Sequence, residues 1–155
     1  MAIWQFDLYF VSEGLAKRRG VIAGTQIAST QCDELLHQNI ERLPAEAINQ
    51  LKEVLEVGKS WSESLDVFGD LESTCITCLK EQHGIIEIKA RLDLRTITCE
   101  ILVAILNFAK AINCLLLTDE YKVINPTLVE LKDEIRLSSA YLFVKDPRGF
   151  IEGLE

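Results

Sequence analysis

Trp4, Phe6, Leu8 and Phe10 alternate with Gln5, Asp7 and Tyr9, so the first residues read as a strand carrying four large apolar side chains on one face. From Ser12 to Thr30 the alternation lapses. Gly14, Gly20 and Gly24 punctuate this stretch, which reads as a flexible loop with a short turn of helix. Leu36, Ile40 and Leu43 then recur at helical spacing within Cys32–Leu43, and Pro44 opens a second helical pattern through Ile48, Leu51 and Leu55 that stops at Gly58. Beyond Lys59 the period returns to two. Leu65–Phe68, Thr74–Lys80 and Ile85–Arg95 read as three strands, separated by Gly69-Asp70-Leu71-Glu72 and by His83-Gly84, which predicts an antiparallel meander. In the last strand Ile86, Ile88, Ala90, Leu92 and Leu94 point to the core, and Glu87, Lys89, Arg91, Asp93 and Arg95 point to water.

Ile97–Asn113 carries a broad apolar helical side, with Asn113 as its stop. Cys114–Thr118 suits a further strand, paired with Lys122–Ile124 around Asp119-Glu120. Asn125 as a cap, Pro126 at the first helical position and the Thr127–Glu130 capping-box spacing mark a helix running to about Ser139. Ala140–Val144 fits either state, and Asp146-Pro147 before Phe150 predicts a turn and a short terminal helix that docks an aromatic ring. The expectation is one α+β domain over residues 1–155: a mainly antiparallel sheet of five or six strands with helices packed on one face.

Composition narrows the function classes. A chain of 155 residues with 48% hydrophobic residues can bury roughly 70% of the surface its unfolded form exposes, enough for one core without disulfide or metal staples. Its net charge of −8 opposes nonspecific attraction to nucleic-acid phosphates or anionic lipid. Five cysteines, an odd number set mostly in apolar stretches, suit a reducing cytoplasm. The apolar start lacks a basic region and a small-residue cleavage site, and Ile101–Leu117 is interrupted by Asn107, Lys110 and Asn113, so neither a signal peptide nor a membrane span is expected.

Motifs for chemistry are sparse. Cys75 and Cys78 form a C-x-x-C, but on a strand positions i and i+3 project from opposite faces, which keeps the two sulfurs apart. Asp33, His37 and Glu41, spaced by four, would line one face of a helix and could hold a metal in a small enzyme, or be an ordinary solvated face. His83, the second histidine, falls in a turn. No serine lies in a G-x-S-x-G elbow, and neither phosphate-binding glycine motif occurs. Lys17-Arg18-Arg19 reads as a solvated loop tip.

Recognition is better supported than catalysis. Residues 61 to 90 hold Glu63, Asp66, Asp70, Glu72, Glu81 and Glu87 against Lys80 and Lys89, so 6 − 2 = 4 negative charges, half of the net −8, fall in this stretch. Trp61 stands at its edge, either as a core residue or as an aromatic anchor for a basic protein partner steered by Glu63, Asp66, Asp70 and Glu72. Tyr9, Arg91 and Asp93 would share the wet sheet face, as cross-strand pairs or as a second binding patch. A homodimer joined through an exposed strand edge is a further alternative.

Four segments carry a resemblance: W-Q-F-D-L-Y-F-V at Trp4–Val11, K-S-W-S-E-S-L-D-V-F-G-D at Lys59–Asp70, R-L-D-L-R at Arg91–Arg95 and F-V-K-D-P-R-G-F at Phe143–Phe150. They resemble small bacterial proteins associated with the immunity proteins of polymorphic toxin systems. The resemblance implies a cytoplasmic α/β protein that binds a toxin domain and blocks its active site, with no catalytic residue, metal or cofactor of its own.

Overall fold

The computed structural model describes residues 1–36, 40 and 42–154. Six strands, β1 (Gln5–Ser12), β2 (Leu65–Gly69), β3 (Cys75–Glu81), β4 (Gly84–Asp93), β5 (Cys114–Thr118) and β6 (Val123–Ile124), form one antiparallel sheet in the order β2-β3-β4-β1-β5-β6. The strongly alternating β1 lies inside it, with Leu8 opposite Ala90 of β4 and Thr118 of β5. Seven helices are found among the described residues: α1 (Glu13–Arg18), α2 (Ser29–Leu36), α3 (Ala45–Lys52), α4 (Cys99–Ala111), α5 (Leu128–Leu137), α6 (Ser139–Lys145) and α7 (Pro147–Glu152). The fold is α+β, as the alternation of periods predicts.

The main core lies between one sheet face and α3 to α6. Phe6, Leu8 and Phe10 of β1 meet Leu51 of α3, Ile105 and Phe108 of α4 and Leu131 of α5, all nearly solvent-free. Phe10 and Phe108 touch edge to face at 5.8 Å. Each such side chain stabilises the fold by about 1.5–3 kcal/mol, and truncating Leu8 to Ala would cost about 2–5 kcal/mol. A β-bulge refines the predicted β4 register. Leu79 pairs with Glu87 but Lys80 pairs with Ile85, so Ile86 is the extra residue. Ile85 therefore enters the core in place of Ile86, which stays half-buried.

The opposite face is wet over only part of its width. Val11, Leu115, Leu117 and Val123 pack there against Ala16 of α1, Val21, Ile27 and Leu35 of α2. The segment expected to be a loop thus closes a second, smaller core. Its order comes from distant backbone partners: Gly24 N–H donates to Val123 O at 2.7 Å, Val123 N–H to Thr25 O at 2.9 Å and Ile27 N–H to Tyr121 O at 2.9 Å. These bonds cover the β6 edge. At the other edge Gly58 N–H donates to Val67 O at 2.9 Å and Gly69 N–H to Glu56 O at 2.6 Å, so β2 is also partly paired along its outer side.

Several boundaries differ from the expected ones. The helix predicted over Cys32–Leu43 is α2, which starts at Ser29 and is described to Leu36, while Ile40 exchanges backbone hydrogen bonds with Ile85 at 2.9 and 2.8 Å. Ile40 packs there, half-buried, against the main core. Thr127, not Asn125, caps α5, and Glu130 reaches back to the Asn125 backbone N–H at 2.7 Å. Ser138 ends α5 and its hydroxyl accepts from Tyr141 N–H at 3.2 Å to start α6, so the ambiguous 140–144 stretch is helical. Phe150 of α7 docks edge-on against Phe143 at 5.8 Å.

Candidate functional site

Trp61 is 78% exposed. The loop that presents it is tied locally: the Ser60 hydroxyl donates to Ser62 O at 2.6 Å and accepts from Ser62 N–H at 3.1 Å, and Leu65 N–H returns to Ser62 O at 3.2 Å. Lys80 N–H donates to Ser64 O at 2.7 Å, which fixes the loop to β3. A bulky indole is therefore held out in water by a bonded frame. Glu63 is exposed two residues on. Residues 53–72 contain Glu53, Glu56, Glu63, Asp66, Asp70 and Glu72 against Lys59 alone, so this stretch carries 6 − 1 = 5 of the chain's net negative charges.

The remaining predicted residues do not gather around Trp61. Asp70 and Glu72 are exposed, but they occupy the β2–β3 turn, at the far end of a five-residue strand that spans roughly 13 Å. There the Asp70 carboxylate accepts from Glu72 N–H at 2.9 Å, an Asx turn. Gly69 precedes it with φ of 96°, and a Cβ at that position would lie 2.3 Å from Thr74 O. Asp66 shares the helix-covered face with Phe68 and pairs with Lys80 at 2.9 Å. It is turned away from Tyr9, Arg91 and Asp93.

Those three lie on the open part of the other face, where their polar groups are engaged with neighbours. Asp7, 5% exposed, receives Arg91 Nε at 3.3 Å directly across the strand pair and Lys89 Nζ at 3.0 Å on the diagonal. Burial alone would lower the Lys89 ammonium; contacts with Asp7 and Tyr9 outweigh it and hold the group above its ordinary value. Lys89 also lies 5.2 Å from the Tyr9 ring centroid. Asp93 is 1% exposed and is held by Arg95, whose guanidinium stacks 4.1 Å over the Trp4 ring. The face is built as an ion-paired surface.

The cysteines sit as the strand geometry predicts. Cys78 belongs to the main core, whereas Cys75 lies beside Arg91 on the opposite face, and all five thiols are free. Burial pushes Cys78 and Cys114 up to about 12, which removes thiolate character. Asp33 is exposed on α2, while His37 and Glu41 lie outside the described residues; among the described residues no group of three metal-ligating side chains converges. Lys17 and Arg18 end α1, exposed, with Arg19 3.7 Å from Glu34. His83 is exposed in the β3–β4 turn, and no described helix is long and apolar enough to cross a membrane.

The sequence pattern did not mark the groove surface between α3 and α4. Exposed Val57 and half-buried Val54 follow α3 and line clefts against α4, next to Glu53 and Glu56. Their signal was present as apolar residues additional to Ile48, Leu51 and Leu55 ahead of Gly58. Comparisons with protein-family models, with curated proteins and with solved structures find no match to this chain.

Proposed function

We propose that this protein is a non-catalytic binding module of the cytoplasm that neutralises a basic bacterial toxin domain, in the manner of an immunity protein. The observation that carries the reading is Trp61: a hydrogen-bonded loop holds it 78% exposed within the most acidic stretch of the chain. An exposed tryptophan gains a large apolar contact on binding and loses little conformational entropy, which is why this residue is enriched among interface hot spots. The surrounding carboxylates add long-range steering toward a cationic partner and make association sensitive to salt.

In this reading Trp61 and Glu63 touch the partner, and Asp66, Asp70 and Glu72 contribute mainly to the field. Tyr9, Arg91 and Asp93 act through the integrity of the sheet. The segments that resemble toxin-immunity proteins include the Trp61 loop itself, Lys59–Asp70. Capture of tagged protein from its native host, at low and high salt, tests the proposal beside Trp61→Ala and Glu63→Lys. The expected partner is basic, is recovered at low salt, is depleted by either variant and arrests growth when expressed alone. Recovery of that partner undiminished by both variants, or an acidic partner, would sink the reading.

A further inference from the structure

Helices α3 and α4 lie side by side and leave an open groove of about 620 Å³ between them. Leu51 and Phe108 form its buried floor, and Val54 and Val103 rise along its sides, the latter 39% exposed. Glu53 and Glu100 are the charged residues of its lining. A second cleft of about 420 Å³ shares Val54 and adds Glu56 and Asp70. Neither lining contains Lys or Arg. By contrast, the clefts beside α5 and beside the start of α3 mix acids with Lys122 and Arg136, or with Arg42 and Lys80. Glu53, Glu56 and Glu100 have no side-chain hydrogen bond or ion pair among the described residues.

We propose that the α3–α4 groove receives an amphipathic helix of a partner protein, its apolar stripe on Val54, Val103 and Phe108 and its basic flanks against Glu53 and Glu100. The inference rests on the reading of this chain as a protein-binding module and specifies the chemistry of its partner. A helix is required because both walls are helices whose backbone groups are internally paired. A strand laid there would find no ladder for its own N–H and C=O groups, whereas a helix brings its own. The eight residues of α3 span about 12 Å, which accommodates roughly two turns of a partner with anchors at i, i+4 and i+7. A second copy of the chain is disfavoured as occupant, because it brings its own net −8 against these carboxylates.

The probe is a display library of helical peptides randomised on both the apolar and the polar face. Selection on the intact protein should enrich peptides with large apolar residues at i, i+4 and i+7 flanked by Lys or Arg. Binding should shift the emission of a dye on Cys99, which is exposed and lines the groove. Val103→Glu, and separately the double change Glu53→Lys with Glu100→Lys, should weaken the enriched peptides about tenfold or more, while Val129→Ala, on the exposed side of α5 and outside the groove lining, should leave their affinity unchanged. Circular dichroism melts confirm that the variants are folded. Enrichment of acidic or neutral peptides, no enrichment, or affinity unchanged by both groove variants overturns the inference. Peptides lost on Trp61→Ala but not on the groove changes also overturn it, while leaving the binding-module reading intact. A groove that binds basic helices in a protein with no growth-arresting partner has the opposite meaning: the groove inference stands and the immunity reading falls.

Discussion

Arg95 grips Asp93 through two parallel hydrogen bonds, Nε to Oδ1 at 2.9 Å and Nη2 to Oδ2 at 2.7 Å. Asp93 ends β4 and Arg95 lies two residues on, in the turn that Thr96 N–H closes by donating to Asp93 O at 3.1 Å. Asp93 also accepts from the Arg95 backbone N–H at 3.0 Å and faces the Ser73 hydroxyl at 3.5 Å, and its own N–H donates to Thr74 Oγ1 at 3.0 Å. Asp93 thereby ties β4 to the β2–β3 turn, through its backbone N–H at Thr74 and its carboxylate at Ser73.

Asp93→Asn should destabilise the protein by about 1–3 kcal/mol, because a charge-assisted bidentate pair is replaced by a weaker neutral contact. Hydrogen bonds from Arg95 hold the Asp93 carboxyl below its ordinary value of 3.8. A lowered folded-state value means that the stabilisation is fully present above the unfolded value and is lost as pH falls through the folded one. Urea unfolding of both proteins should show the full gap at neutral pH and a narrowing gap below pH 3.8. A gap independent of pH down to the acid limit would show that the ionised form of Asp93 contributes nothing.

Asp119 carries the opposite sign. Its carboxyl is raised above 3.8, first by desolvation although the residue as a whole stays exposed, then by Glu120 and by Asp7. A group raised in the fold favours folding below its unfolded value, and that contribution disappears as pH rises through the folded value. Ionised Asp119 is therefore a local cost at neutral pH. Asp119→Asn should raise the melting temperature at pH 7, with no difference from the parent well below pH 3.8. A variant less stable at neutral pH would place the carboxylate in a favourable contact instead.

Much of this architecture is legible in the sequence where one element carries its own period. Phe6, Leu8 and Phe10 announce β1, and Thr127 with Glu130 announces α5, because a strand face and a helix cap are set by residues a few positions apart. The second core is not legible in this way. Val21 and Ile27 sit among glycines with no local period, and their order depends on Val123 and Tyr121, about a hundred residues away. The β4 bulge fails for a related reason: alternation assigns Ile86 inward, and only pairing with β3 shows the register slipping to Ile85. The acidic character of residues 61–90 could be counted, but counting cannot tell that Asp66 faces the helices while Asp70 closes a turn.

Thiol reactivity follows directly from burial. Cys32, Cys75, Cys78 and Cys114 are buried, and Cys99 is exposed at the start of α4. A chromogenic disulfide reagent at mildly alkaline pH should titrate a single thiol rapidly in the native protein and five after unfolding. Cys99→Ser should abolish the fast phase and leave the melting temperature nearly unchanged. Two or more fast thiols in the native state would mean that the second core or the β3 face opens readily.

The two tryptophans should be separable by quenching. Trp61 is 78% exposed, whereas Trp4 is half-buried beneath the Arg95 guanidinium with its Nε1 shielded from solvent. Trp61→Phe should shift the emission maximum to shorter wavelength and reduce the acrylamide quenching constant, since the exposed component is removed. Its effect on stability should stay within about 0.5 kcal/mol, because little apolar area at Trp61 is buried on folding. Trp4→Phe should do the reverse, leaving a strongly quenched, red-shifted spectrum and a measurable loss of stability from the missing stack on Arg95. If Trp61→Phe instead destabilised the protein by several kcal/mol, the indole would be a packing residue, and neither its exposure nor its role as the partner's anchor would survive.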